Sequence, residues 1–217
     1  MSLSYRTGPA RGAGPARVAG AASAPDAAAS APSLILLHGY GADENDLARL
    51  APLLAPDSPW YSVRAPQRLP HGGNAWFPIT TPGRPDPSAV DEATETLWDW
   101  IDGALDADTP IIPVGFSQGG LMATQLLRTR PERMAATVVL GGFVLGAPQP
   151  ADETLAASRP AAFWGRGEDD RVIAADAVAR TAAWMPEHTT LTARTYPGLG
   201  HGISPEEIAD VRTFLAG

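Results

Sequence analysis

The sequence predicts an α/β protein with one mostly parallel, doubly wound sheet in a single domain without a large cap. Three observations carry that prediction. Short continuous apolar runs such as Leu34-Ile35-Leu36-Leu37 and Ala136-Thr137-Val138-Val139-Leu140 read as strands buried on both faces. Segments with an apolar face at helical spacing alternate with them along the chain, and such alternation builds a parallel sheet with helices on both sides. Finally, Pro113-Val114-Gly115-Phe116-Ser117-Gln118-Gly119-Gly120 passes from an apolar run, through a turn of small residues, directly into the helical pattern Leu121-Met122-Ala123-Thr124-Gln125-Leu126-Leu127. At 217 residues the chain is long enough for one such domain with a full core.

Residues 1–32 are rich in Ala, Gly and Pro. Short edge strands are expected at Leu3–Arg6 and Ala16–Ala19, and the rest of this stretch reads as a mobile segment. Residues 33–217 form the predicted domain. After the strand at 34–37, Asp43 is placed to cap a helix through Leu54, with Pro52 kinking or shortening it. Trp60–Arg64 is the next strand. Gln67–Pro87 reads as a long loop carrying the aromatic pair Trp76-Phe77, which either walls a pocket or covers the edge of the core. Ser88, with Asp91 three residues on, starts a helix whose apolar face holds Ala93, Leu97, Trp98, Ile101 and Leu105. Trp98 and Trp100 read as packing residues.

Ile111–Phe116 is predicted as a buried strand. Pro113 is awkward there because it has no N–H for the ladder. After the strand at 136–140, a loop-like stretch runs to Arg159. A strand at Ala161–Gly165, a helix at Ala174–Trp184 and an alternating strand at Thr190–Tyr196 follow. Ser204-Pro205-Glu206-Glu207 opens a terminal helix with a Ser N-cap and Pro in its first turn.

Composition narrows the function. A net charge of −8 provides no basic field for nucleic acid or an anionic membrane surface. Cysteine is absent, which excludes disulfides, thiolate metal sites and a cysteine nucleophile. No apolar run approaches the length of a membrane-spanning helix, and the N-terminal stretch is broken by Gly and Pro where a signal peptide would be apolar. The cytoplasm is the expected compartment.

The chemistry-bearing residues converge on Ser117. Gly115-Phe116-Ser117-Gln118-Gly119 fits G-x-S-x-G, a strand–turn–helix elbow that pushes the serine hydroxyl out above the sheet. A serine needs a base, and the base needs a group to orient it. Among His38, His71, His188 and His201, the last lies in Gly200-His201-Gly202, after the last strand. Loops that follow parallel strands gather on one edge of the sheet. The loop after the preceding strand, Gly167-Glu168-Asp169-Asp170-Arg171-Val172-Ile173, offers three acids as the orienting group. A Ca²⁺ or Mg²⁺ site there is disfavoured, because three consecutive acids cannot all face one ion.

These motifs, together with Leu37-His38-Gly39-Tyr40-Gly41-Ala42-Asp43-Glu44, resemble the phospholipase/carboxylesterase family of α/β-hydrolases, which includes the acyl-protein thioesterases. The resemblance spans residues 34–217 and follows the chain order Ser, acid, His. It implies Asp170 as the acid, two residues before Val172. It implies an oxyanion hole from the backbone N–H groups of Tyr40 and Gln118, with His38 shaping that loop. It also puts Trp76 and Phe77 beside the acyl pocket. The Ala/Pro-rich N-terminal stretch and Ala174, where proline is common, depart from the family pattern.

The expected activity is hydrolysis of short- to medium-chain acyl esters by an acyl-enzyme route with Ser117, His201 and Asp170, requiring no metal or organic cofactor. A small-molecule ester is the expected partner, and a homodimer is left open. The alternatives are a thioesterase acting on acylated protein or small thioesters, and a non-catalytic binder on the same fold.

Overall fold

The computed structural model describes residues 3–8 and 31–217. The expected strand at Ala16–Ala19 lies outside the described residues. The strands are β1 (Tyr5–Gly8), β2 (Ser33–Leu37), β3 (Trp60–Val63), β4 (Gln67–Arg68), β5 (Asn74–Ala75), β6 (Ile111–Phe116), β7 (Thr137–Leu140), β8 (Ala161–Gly167) and β9 (Thr190–Tyr196). The helices are α1 (Ala51–Leu54), α2 (Pro87–Ala104), α3 (Gln118–Thr129), α4 (Asp152–Ser158), α5 (Ala175–His188) and α6 (Pro205–Ala216).

Seven strands form one sheet in the order β1-β3-β2-β6-β7-β8-β9. Every pairing is parallel except β1 with β3. From β2 the chain goes to β3 on one side and later to β6 on the other. The loops leaving β2 and β6 therefore diverge, and such a switch point opens a crevice at the carboxyl ends of the strands.

The sheet is covered on both faces. Ile35 and Leu37 pack into the core shared with α2 and α3, whereas Leu34 and Leu36 pack toward α1 and α6. This is the two-sided burial that a continuous apolar run requires. Pro113 is tolerated because the β6–β7 ladder begins only at Val114↔Val138, while Pro113 itself is in register with Ile35 on β2.

Four local expectations are corrected. Residues 44–50 form turns, and α1 begins only at Ala51 with Pro52 in its first turn. A residue without an N–H fits there and not further along a helix. Asp43 instead accepts a hydrogen bond from the Asn45 N–H at 2.9 Å, a local Asx turn. Helix α2 starts two residues early: Asp86 caps it by accepting from the Ser88 N–H at 3.0 Å, with Pro87 as its first residue. The stretch before β8 contains α4. Only Leu155 of that short helix is buried, so its apolar pattern was too weak to read. His188, read as a turn residue, ends α5 and stacks on Trp184 at 4.2 Å between ring centroids.

Candidate active site

Ser117 sits between β6 and α3 with φ 56° and ψ −116°. A positive φ is strained for a residue with a Cβ and persists only where its surroundings enforce it. Here they do. A Cβ on Gly115 would overlap the carbonyl of Gly119, and one on Gly119 would overlap the carbonyl of Leu37. Glycine at both positions lets the elbow close. The Ser117 N–H donates to the Leu140 carbonyl at 2.9 Å, which ties the elbow to the end of β7.

His201 Nε2 lies 2.9 Å from Ser117 Oγ, and His201 Nδ1 lies 2.7 Å from Asp170 Oδ2. A carboxylate at Nδ1 fixes the proton on that nitrogen and leaves the Nε2 lone pair facing the hydroxyl. Asp170 is itself held: its Oδ1 accepts from the Val172 N–H at 2.9 Å and the Ile173 N–H at 3.3 Å. Glu168 and Asp169 are exposed. Their N–H groups donate to Tyr196 and Leu199 carbonyls, pinning the acid loop to the loop that carries His201. The His201 ring packs on Phe116 with centroids 4.9 Å apart.

The backbone N–H groups of Tyr40 and Gln118 donate to no protein acceptor among the described residues. Gln118 opens α3, where the first N–H groups lack helical partners, and both residues line one cavity with Ser117. The Tyr40 loop is held by His38, which is fully buried. Its Nε2 accepts from the Ala65 N–H at 3.0 Å, so the ring proton is on Nδ1, which donates to the Gly39 carbonyl at 2.7 Å. Burial holds the His38 pKa below the usual 6.5, which matches a neutral structural imidazole.

The cavity beside Ser117 measures about 180 Å³, and its walls include Tyr40, Phe77, Ile79, Phe143, Val172 and Ile173. Three of the most exposed large apolar side chains stand on it: Tyr40 at 47%, Ile79 at 50% and Val172 at 60%. Of the two aromatics expected beside an acyl pocket, Phe77 lines this cavity and Trp76 does not. Trp76 is a core residue, 1% exposed, whose indole N–H donates to the His38 carbonyl at 2.9 Å. This bond ties the buried indole to the end of β2, just before the loop that carries Tyr40.

Sequence reasoning missed two further contributors. The Gln118 side chain, buried at 4%, accepts from the Trp76 N–H at 2.9 Å and donates to the Phe77 carbonyl at 2.7 Å. Arg180 on α5 donates to the Val144 carbonyl and to the Gly83 carbonyl, each at 2.9 Å. Both side chains act on segments distant in sequence, and no local pattern marks them.

Residues 20–217 match the family model described as phospholipase/carboxylesterase. The chain belongs to that family of carboxylic-ester hydrolases, with the α/β-hydrolase fold. It is 26% identical to acyl-protein thioesterase 1 of Cryptococcus neoformans var. neoformans serotype D, over 84% of this chain and 90% of that one. It is also 26% identical to a probable carboxylesterase of Oryza sativa subsp. japonica, over 88% of this chain and 80% of that one. The solved structure of the Bacillus cereus carboxylesterase shares the fold, with a TM-score of 0.77 at 19% identity, covering 99% of this chain and 93% of that one. No helix of the described residues is long and apolar enough to cross a membrane.

Proposed function

We propose that the protein hydrolyses short- to medium-chain carboxylic acyl esters through an acyl-enzyme on Ser117. The observation that carries this reading is the line Ser117 Oγ, His201, Asp170, with separations of 2.9 Å and 2.7 Å, at the wall of an apolar cavity flanked by two N–H groups that have no acceptor among the described residues. Ser117 Oγ bonds to the substrate carbonyl carbon while its proton passes to His201 Nε2. The carbonyl oxygen becomes an oxyanion facing the Tyr40 and Gln118 N–H groups, and each such donor is worth about 10²–10³ in rate. Collapse breaks the bond to the leaving oxygen, which takes the proton from His201. Water then repeats the sequence on the acyl-enzyme and releases the acid and free Ser117. Asp170 holds the tautomer and stabilises the imidazolium. Each step balances without a metal or organic cofactor.

A cavity of about 180 Å³ is small beside the 300–1,000 Å³ or so typical of ligand pockets, which supports short to medium acyl chains. Thioester hydrolysis is the second reading, favoured by the thioesterase named among the relatives. The test is fluorophosphonate labelling of the wild type and Ser117→Ala, followed by kcat/KM over matched esters and thioesters of increasing chain length. The wild type labels once and Ser117→Ala neither labels nor hydrolyses. Labelling at any other serine refutes the assignment.

A further inference from the structure

Two cavities meet at the Ser117–His201 pair, one lined by Ser117 and the other by His201. Ser117 and the two oxyanion donors line the cavity of about 180 Å³, and His201 does not. A second groove, of about 360 Å³, is lined by His201 and not by Ser117. Its floor is apolar, built from Leu47, Leu50, Phe116, Ile203 and Ile208, and Asp46 and Arg49 give it a polar edge. Leu47 and Leu50 belong to the core beneath α1 and α6, and Phe116, Ile203 and Ile208 pack against that core. The floor is therefore fixed by packing. Arg49 is exposed.

Proton chemistry distinguishes the two sides. The proton that His201 takes from Ser117 must be returned to the leaving oxygen or sulfur, so that atom has to reach Nε2. The oxyanion faces Tyr40 and Gln118. Of the two remaining substituents on the tetrahedral carbon, the leaving group is directed to the histidine side and the acyl chain to the Ser117 side. We propose that the groove beside His201 is the leaving-group subsite, and that it accepts an alcohol or thiol with an apolar body and a polar outer end. This rests on the acyl-ester reading above. The two volumes then set the selectivity: the roomier groove tolerates bulk in the alcohol, and the smaller cavity discriminates acyl chains more strictly.

The test holds the acyl group constant. Acetyl esters of methanol and of 2-naphthylmethanol are compared by kcat/KM in the wild type, in Ile208→Trp and in Arg49→Trp. Ile208→Trp fills the groove from α6. Arg49→Trp narrows it from an exposed position, and it carries the test if Ile208→Trp does not fold. Both esters give the same acetyl-enzyme, so within each protein the ratio reports acylation alone. The expected result is a fall in the naphthylmethyl-to-methyl ratio of about tenfold or more in each folded variant. An unchanged ratio, with equal losses on both esters, overturns the subsite. In a companion series of methyl esters of increasing acyl length, a change in the variants that follows acyl-chain length instead of the alcohol makes the groove an acyl site and overturns it too. Failure of the underlying reading looks different, because then no ester acylates Ser117 in the wild type.

Discussion

Glu207 offers a sharp test of how the fold around the site is held. It lies in the first turn of α6, where its N–H donates to Ser204 Oγ at 3.0 Å. Its side chain is fully buried, and among the described residues neither carboxylate oxygen has a partner within full hydrogen-bond geometry. Oε1 fills the space that a side chain at Gly165 on β8 would take. Burial raises its pKa from the usual 4.5 to about 7, partly offset by the Ser204 N–H that faces the carboxylate and helped by a smaller push from Asp210. That gap corresponds to roughly 3 kcal/mol. The unfolded chain loses this proton near 4.5, whereas the folded chain keeps it until about 7. The stabilising contribution is thus complete below pH 4.5 and is lost as pH rises through about 7. Glu207→Gln mimics the protonated side chain and should remove the dependence. Relative to wild type, the variant should be comparably stable near pH 4.5 and gain up to roughly 3 kcal/mol by pH 8. Urea unfolding of both proteins between these limits measures the difference. His38, held below its usual value by burial, contributes the opposite slope, lost as pH falls below about 6.5. It is common to both proteins and cancels. A difference that stays flat across the window would refute the reasoning.

The remaining expectations concern the site itself. Asp170→Asn should lower kcat by about 10³–10⁴, whereas Asp169→Asn, altering an exposed side chain, should change it little; steady-state kinetics on one ester decides. Gln118→Ala keeps the backbone N–H but strands the buried Trp76 N–H and Phe77 carbonyl, so urea unfolding should show a loss of roughly 2–5 kcal/mol, and an unchanged midpoint would count against a stabilising role for these two bonds. Trp76→Ala should destabilise by about 3–5 kcal/mol. Phe77→Ala should shift the acyl-chain-length profile more than Trp76→Ala does, and the reverse order would return Trp76 to the cavity wall.

How much of this was legible follows from the range of each signal. Strand β9 spans the predicted Thr190–Tyr196, and Ser204 caps α6 by accepting from Glu207 N–H. Apolar patterns and caps are local, so one sequence carries them. The elbow motif is equally local to read, although only Gly115 answers to an overlap within the turn, while Gly119 answers to the Leu37 carbonyl on β2. The acid was different. Three neighbouring acids in one loop cannot be ranked by pattern, and only the family resemblance singled out Asp170. Its distinguishing contacts, to the Val172 and Ile173 N–H groups and to His201, exist only once the loop is folded. Trp76 was unreadable for the same reason. An aromatic in a long loop can face inward or outward, and Trp76 faces inward through core packing and the His38 carbonyl, contacts that exist only once the loop is folded.

The roof of the cavity shows how long-range contacts set what local sequence leaves open. The stretch between β7 and β8 could have supplied a lid, but Arg128 commits it elsewhere. Buried on α3, Arg128 pairs with both oxygens of Asp152 at 2.8 and 2.7 Å and donates to the Leu145 and Ala147 carbonyls. The segment is thereby drawn onto α3, and α4 lies against α5. The roof falls instead to the loop before α2, which is strapped to α5 twice. Arg84 pairs with Asp176 at 2.7 Å, but that pair is exposed, and such pairs contribute about 0–1 kcal/mol. The half-buried Arg180 is the stronger strap, because losing it would leave the Gly83 and Val144 carbonyls without this donor. Gly83 and Phe143, the neighbour of Val144, stand on the cavity wall. One guanidinium therefore spaces two sides of the cavity, and it does so from the helix that follows the Asp170 loop. The helix that follows the Asp170 loop therefore also spaces the walls of the cavity beside Ser117.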